Sequence, residues 1–228
     1  MPITTCVFDA YGTLFDVAAA AREAAKEPAF AAIADTWPQL AEHWRLKQLQ
    51  YSWLRAVTGA HDDFWQVTQE GLDWSLEKLG VADDPALRER LLALYWELQA
   101  FAEVPAMLRA LKDGGLNTAI LSNGSPAMLD GAVQSAGISD LLDVSLSVES
   151  VGVFKPHASV YDLVGQHYGC AKNEVLFVSS NGWDSAAATG YGFITAWVNR
   201  GGDPVDRLPW KPAHQLRDLS GIPALAGL

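Results

Sequence analysis

The chain has 228 residues, half of them hydrophobic, enough to bury a sizeable core in one large domain or in a domain with an insert. A formal charge of -11 and a pI near 4.7 argue against nucleic acid or an anionic membrane as partner, since both need a basic face. No basic amino-terminal stretch leads into an apolar core, and no apolar run approaches a membrane span. Cys6 and Cys170 are distant in sequence, so the expectation is packed, reduced thiols in a cytoplasmic protein.

Ile3 to Phe8 is short, β-branched and aromatic, and reads as a buried strand of a parallel sheet broken by Tyr11-Gly12-Thr13. Asp9 follows it directly. In an open α/β sheet the carboxyl ends of the strands line the ligand crevice, so an acid there is placed to act as a nucleophile. Capping the next helix is the competing role for such an aspartate. From Asp16 to about Gln99 the pattern is helical throughout, which predicts an all-α insert at 16–98 between two parts of a core, 1–15 and 99–228. Ala18 to Lys26 is alanine-rich, and Thr36-Trp37-Pro38 has the form of a cap with proline at a helix start. Trp37, Trp44, Trp53, Trp65, Trp74 and Trp96 fall in this segment and are expected to pack between helices. On a helix from Gln39 to Val57, Leu46, Leu49, Trp53 and Val57 form one expected apolar face, with Arg45 at its edge.

Beyond Val104 helices and strands alternate, which predicts right-handed crossovers and a parallel sheet. Pro105 to Lys112 reads as a helix, Asn117 to Leu121 as a strand ending in Ser122-Asn123-Gly124, and Pro126 opens the next helix. Val144 to Val148 is a weaker strand. Lys155-Pro156 precedes a helix carrying Val160, Tyr161 and Val164, and Glu174 to Val178 is a strand ending in Ser179-Ser180-Asn181-Gly182-Trp183-Asp184. Phe193 to Val198 is the last expected strand. The tail after Gly201 reads as irregular.

Three strand ends therefore carry polar clusters, and a parallel sheet brings them to one edge over Asp9. Ser122 and the amides after it open a helix, where N–H donors and the dipole attract an anionic group such as a carboxylate or phosphate. Lys155 is placed to neutralise that anion and Asp9 together. The five histidines lack a partnered nucleophile, and there is no G-x-S-x-G elbow.

These motifs resemble the haloacid dehalogenase superfamily through Asp9 with Thr13, Ser122, Lys155-Pro156 and Asp184. Phe8 to Asp16, Leu121 to Pro126, Trp44-Arg45 with Lys47-Gln48-Leu49, and Phe177 to Asp184 are similar to the signatures of the (S)-2-haloacid dehalogenases. The resemblance implies a Rossmann-like parallel sheet with helices on both faces, an inserted helical-bundle cap, and a homodimer. Metal-dependent members place a second aspartate two residues after the nucleophile, where this chain has Tyr11, and carry an acidic cluster where it has Ser179, Ser180 and Asn181 before Asp184. Magnesium wants carboxylate oxygens, whereas a departing halide needs no proton, so the resemblance implies no metal and no cofactor.

The same resemblance implies roles. Asp9 attacks C2 of a short 2-haloacid and forms an ester. Arg45, Asn123 and Trp183 receive the halide, and Thr13, Ser179 and Asn181 orient Asp9. Ser122, with the main chain near Ala10 and Tyr11, binds the substrate carboxylate, while Lys155 and Tyr161 steady the charges and Asp184 assists water. Tyr11, Leu46, Leu49, Phe64 and Trp183 are expected in the pocket wall, Leu46 standing where some relatives carry glutamine. A phosphatase of the same fold, or a non-catalytic relative that only binds, are the alternatives.

Overall fold

The computed structural model describes residues 2–228. β1 (Thr5–Phe8) is buried along its whole length because it lies between two neighbours, as its unbroken apolar and β-branched character requires. The helices that follow are α1 (Ala19–Ala24), α2 (Trp37–Thr58), α3 (Phe64–Leu79) and α4 (Pro85–Trp96). The remainder alternates: α5 (Val104–Asp113), β2 (Asn117–Ser122), α6 (Pro126–Ser135), β3 (Val144–Ser147), α7 (Ala158–Tyr168), β4 (Val175–Ser179), α8 (Gly182–Tyr191), β5 (Ile194–Val198), β6 (His214–Leu216) and α9 (Ile222–Leu225). All strand pairs are parallel, in the order β3-β2-β1-β4-β5-β6.

That order reverses at β1, whose neighbours β2 and β4 lead the chain away in opposite directions, and a crevice opens at such a switch point. The register fixes what faces it. Phe8 stands opposite Ile120 and Val178, so Asp9 emerges level with the start of the Ser122 and Ser179 clusters. Strand propensity and switch-point topology together put three polar strand ends around one carboxylate.

The helical cap is stitched to this core where the chain leaves and returns: Asp16 N donates to Gln99 O, and Phe101 N to Leu14 O. Asp63 caps α3 by accepting from Trp65 N and Gln66 N, and Asp84 caps α4 by accepting from Leu87 N. Thr36 occupies the cap position of α2, but its side chain makes no capping bond. No helix among the described residues is long and apolar enough to cross a membrane.

Two sequence expectations are corrected here. The buried stripe of α2 is Leu40, Trp44, Gln48 and Ser52, whereas Leu46 is 54% and Val57 85% exposed. The polar members of the stripe are satisfied inside. Gln48 Nε2 donates to Thr68 Oγ1 at 2.9 Å and to Tyr95 OH at 3.0 Å, joining α2, α3 and α4, and Trp44 Nε1 donates to Thr68 O at 2.8 Å. Those bonds turn the helix about one residue from the face that hydrophobic periodicity selects. Gln48→Leu should leave the Tyr95 hydroxyl buried without its partner and cost about 1–3 kcal/mol, read as a lower urea midpoint. The second correction is the tail, which supplies β6 on the free edge of β5 and the short α9.

Candidate active site

Asp9 leaves β1 into a turn held by Thr13 N and Leu14 N, both donating to Ala10 O. Gly12 makes this turn possible with φ +86°, and a Cβ there would meet Ser180 Oγ at 3.1 Å. The turn brings Thr13 back over the carboxylate, where its Oγ1 donates to Asp9 Oδ2 at 3.0 Å. Asn181 Nδ2, from the end of β4, donates to the same oxygen at 3.0 Å, and Lys155 Nζ donates to Oδ1 at 3.2 Å. Asp9 is thus a nucleophile candidate held by three donors, and it caps no helix.

Lys155 is 1% exposed and also donates to Asp184 Oδ2 at 2.9 Å, so one ammonium bridges two carboxylates. Tyr161 OH donates to the other oxygen, Asp184 Oδ1, at 2.7 Å. Burial alone would lower Lys155, but the charges of Asp184 and Asp9 outweigh it and raise the ammonium above its ordinary 10.5. Burial raises Asp184 above the ordinary carboxylate value; Lys155 opposes that shift, and the nearby charge of Asp9 adds to it. Burial, with Asp184 beside it, likewise holds the Tyr161 hydroxyl well above 10, so it stays a proton donor.

The cavity over Asp9 is closed by Tyr11, Leu49, Phe64, Ser122, Asn123 and Trp183, and the space left is on the scale of one water molecule. Asn123 Oδ1 accepts from Lys155 N at 3.0 Å, which commits the oxygen and leaves its NH2 end uncommitted. Ser122 Oγ accepts from Gly124 N at 3.1 Å and keeps its own proton to donate. Arg45 reaches in from α2: its Nη2 donates to Tyr11 O at 3.1 Å and to Asn181 Oδ1 at 3.2 Å, so the cap touches the residue that holds Asp9. Trp183 Nε1 is buried with no acceptor among the described residues, and its ring is held edge-on by Trp53 with centroids 5.3 Å apart. A buried N–H without an acceptor costs about 1–3 kcal/mol, and Trp183 is among the residues that line the cavity.

Residues 3–192 match the family of haloacid dehalogenase-like hydrolases. The chain belongs to that family. It is 41% identical over 224 residues to (S)-2-haloacid dehalogenase 1 of Pseudomonas sp. (strain CBS-3), with 98% of this chain and 96% of the relative covered. To the (S)-2-haloacid dehalogenase of Xanthobacter autotrophicus it is 43% identical over 198 residues, covering 87% of this chain and 76% of the relative. The solved structure of the L-2-haloacid dehalogenase from Xanthobacter autotrophicus with chloropropionic acid covalently bound is similar with a TM-score of 0.86, 36% identity and 98% of both chains covered.

Within this dehalogenase-like hydrolase, two residues singled out from sequence stand elsewhere. Leu46 does not line the cavity: with Arg45 turned inward, the next residue on α2 faces solvent. Ser179 makes no bond to Asp9; it is fully buried and its Oγ accepts from Asn181 N at 3.1 Å, bracing the loop. Ser180 is the residue that sequence reasoning missed. Its N donates to Thr13 Oγ1 at 2.7 Å and its Oγ lies 3.1 Å from the same atom; of the two acceptors within reach of the single Thr13 hydroxyl proton, Ser180 Oγ and Asp9 Oδ2, the carboxylate is the charged one. Strand alternation separates Ser179 from Ser180 and was the available signal. Ala10 is buried and contributes its carbonyl to the turn. No histidine lines the cavity.

Proposed function

We propose that this hydrolase removes halide from short (S)-2-haloacids and yields (R)-2-hydroxy acids through an ester on Asp9. The observation that carries the reading is the Asp9–Lys155–Asp184 bridge, in which the cation between the two acids is the chain's own ammonium. Tyr11, stacked on Tyr95 with centroids 5.5 Å apart, stands where a phosphoryl-transfer relative has its second acid. The likeness to curated (S)-2-haloacid dehalogenases and to a structure with chloropropionic acid covalently bound supports the same chemistry.

In the first step Asp9 Oδ1, which among the described residues accepts only from Lys155, forms a bond to C2 while the carbon–halogen bond breaks and its electron pair leaves with the halide. Arg45, the NH2 of Asn123 and Trp183 Nε1 are the donors for that anion, and Ser122 with nearby main-chain amides binds the substrate carboxylate. In the second step water adds to Cγ of Asp9 and gives a proton to Asp184. The negative charge then forms on Oδ2, where Thr13 and Asn181 already donate. Breaking the Cγ–Oδ1 bond sends its electron pair to the product oxygen, which takes the proton held by Asp184, and leaves the water oxygen on Asp9, whose remaining proton passes to solvent and restores the carboxylate. Tyr161 holds Asp184, Leu49 and Phe64 exclude bulk water, and Asp9 attacks poorly hydrated.

We assign 16–98 to the cap and 1–15 with 99–228 to the core, and infer that the cap opens to admit substrate, since the closed cavity has room for little more than water. The outward face of α2, with Leu46, Leu54 and Val57 exposed, supports self-association, which sedimentation velocity tests. Cys6 and Cys170 are both free thiols, in keeping with a reducing cytoplasmic location.

The test is halide release from each enantiomer of 2-chloropropionate with EDTA present. Release from the (S) form alone, undiminished by EDTA, is expected; a divalent ion needed for turnover overturns the reading. In a single turnover in heavy-oxygen water, the label should appear in the Asp9 peptide before it appears in product.

A further inference from the structure

Thr13 is gripped at both of its polar ends. Ser180 N donates to its Oγ1, and Arg200 Nη2 donates to its carbonyl oxygen at 3.3 Å. Arg200 lies just past β5 and has no contact with Asp9. Its guanidinium packs 3.7 Å over the ring of Phe101, and its Nη1 lies 2.7 Å from Glu103 Oε1. Phe101 N in turn donates to Leu14 O at 3.0 Å. Two consecutive carbonyls of the turn after Asp9, those of Thr13 and Leu14, are therefore held by one unit in which Arg200 lies against the segment where the chain returns from the cap.

We propose that Arg200 is a positioning residue for the nucleophile, acting through Thr13. The plane after Thr13 is held at its N–H end by Leu14 N on Ala10 O and at its carbonyl end by Arg200; without the second grip it can pivot about the first, and that pivot carries the hydroxyl away from Asp9 Oδ2. A planar fork reaches Glu103 and Thr13 at once while its face rests on Phe101; a lysine ammonium cannot do all three. As an ion pair alone, Arg200 with Glu103 is partly exposed, and such pairs are worth little. The contact to Thr13 gives the residue a consequence beyond that pair.

The inference rests on Asp9 being the nucleophile, so D9N is run alongside. Rapid-quench measurement of the first halide released from (S)-2-chloropropionate reads the alkylation step directly. Arg200→Met should slow it about tenfold, as expected for a catalytic group displaced by a fraction of an ångström, with KM changed less than about twofold. Arg200→Lys, which keeps the charge beside Glu103, should lose nearly as much and serves if the Met variant does not fold. Thr13→Val gives the decisive comparison: adding R200M or R200K to it should slow alkylation less than about twofold further, because the path from Arg200 to Asp9 is already cut. Wild-type alkylation rates in the Arg200 variants, or losses that multiply in full on the Thr13→Val background, overturn the inference while leaving the function intact. Halide release by D9N overturns both.

Discussion

Asp9→Asn should reduce halide release by at least about 10⁴-fold, because an amide oxygen is no substitute for a carboxylate that must form a bond to carbon. The fold should survive it. Asp9 sits at the end of a strand rather than inside the apolar core, and an asparagine occupies the same volume. The charges left behind also favour survival: the variant keeps Lys155 and Asp184 as a hydrogen-bonded pair, and Arg45 stays bonded to Tyr11 O and Asn181 Oδ1. Since the charge of Asp9 is one of the causes that raise Asp184, its removal should shift the Asp184 carboxyl downward. A haloacid should still bind, and quenching of indole emission is the readout, because Trp183 lines the cavity. Loss of turnover with retained binding and an unchanged unfolding midpoint is the expected set; a variant that still releases halide would remove Asp9 from the chemistry.

The parts of this site that could be read from sequence are those where an apolar strand runs straight into polar residues. Phe8 into Asp9, Leu121 into Ser122 and Val178 into Ser179 each announce a strand end, and a parallel sheet leaves no freedom about which edge they share. What stayed hidden depends on partners far away in the chain. The inward turn of Arg45 depends on Tyr11 O and Asn181 Oδ1, and periodicity alone makes it a rim residue. Gln48 and Ser52 are polar by composition yet buried, because Thr68 and Tyr95 supply the bonds for Gln48, and Ser52 Oγ donates to Leu49 O. Local sequence does not show that, and periodicity selects the face of Leu46, Leu49, Trp53 and Val57, two of whose members, Leu46 and Val57, are exposed. β6 has only three residues, His214, Gln215 and Leu216, mostly exposed, with no alternation to find. Arg200 follows a buried strand in an otherwise irregular stretch, and only the closed turn after Asp9 gives it a target.

Lys155→Met should abolish turnover and, unlike D9N, should also destabilise the protein at neutral pH. The ammonium is buried between two carboxylates, and removing one partner from a buried ion group costs about 3–5 kcal/mol, since the remaining charges are left without compensation. The variant can relieve this by taking up a proton, and Asp184 is the acceptor, its carboxyl already raised by burial and by Asp9. A protonated Asp184 cannot take a proton from water, so any ester that forms should persist, and the Asp9 peptide should carry the added mass. The pH dependence has a definite sign. In K155M the folded state holds a proton that the unfolded chain has released, so stability falls as pH rises above the ordinary aspartate value, and the defect shrinks toward acid. In the wild type, Asp184 is also raised, so stability falls with pH in the same sense there, but Lys155 opposes that shift and removing it carries the loss further; the contribution of Lys155 itself is fully present below 10.5 and lost only as pH climbs through its raised value. Urea midpoints of both proteins between pH 5 and 8 should therefore diverge with rising pH, and parallel curves across that range would show that the ammonium does not hold the two acids together.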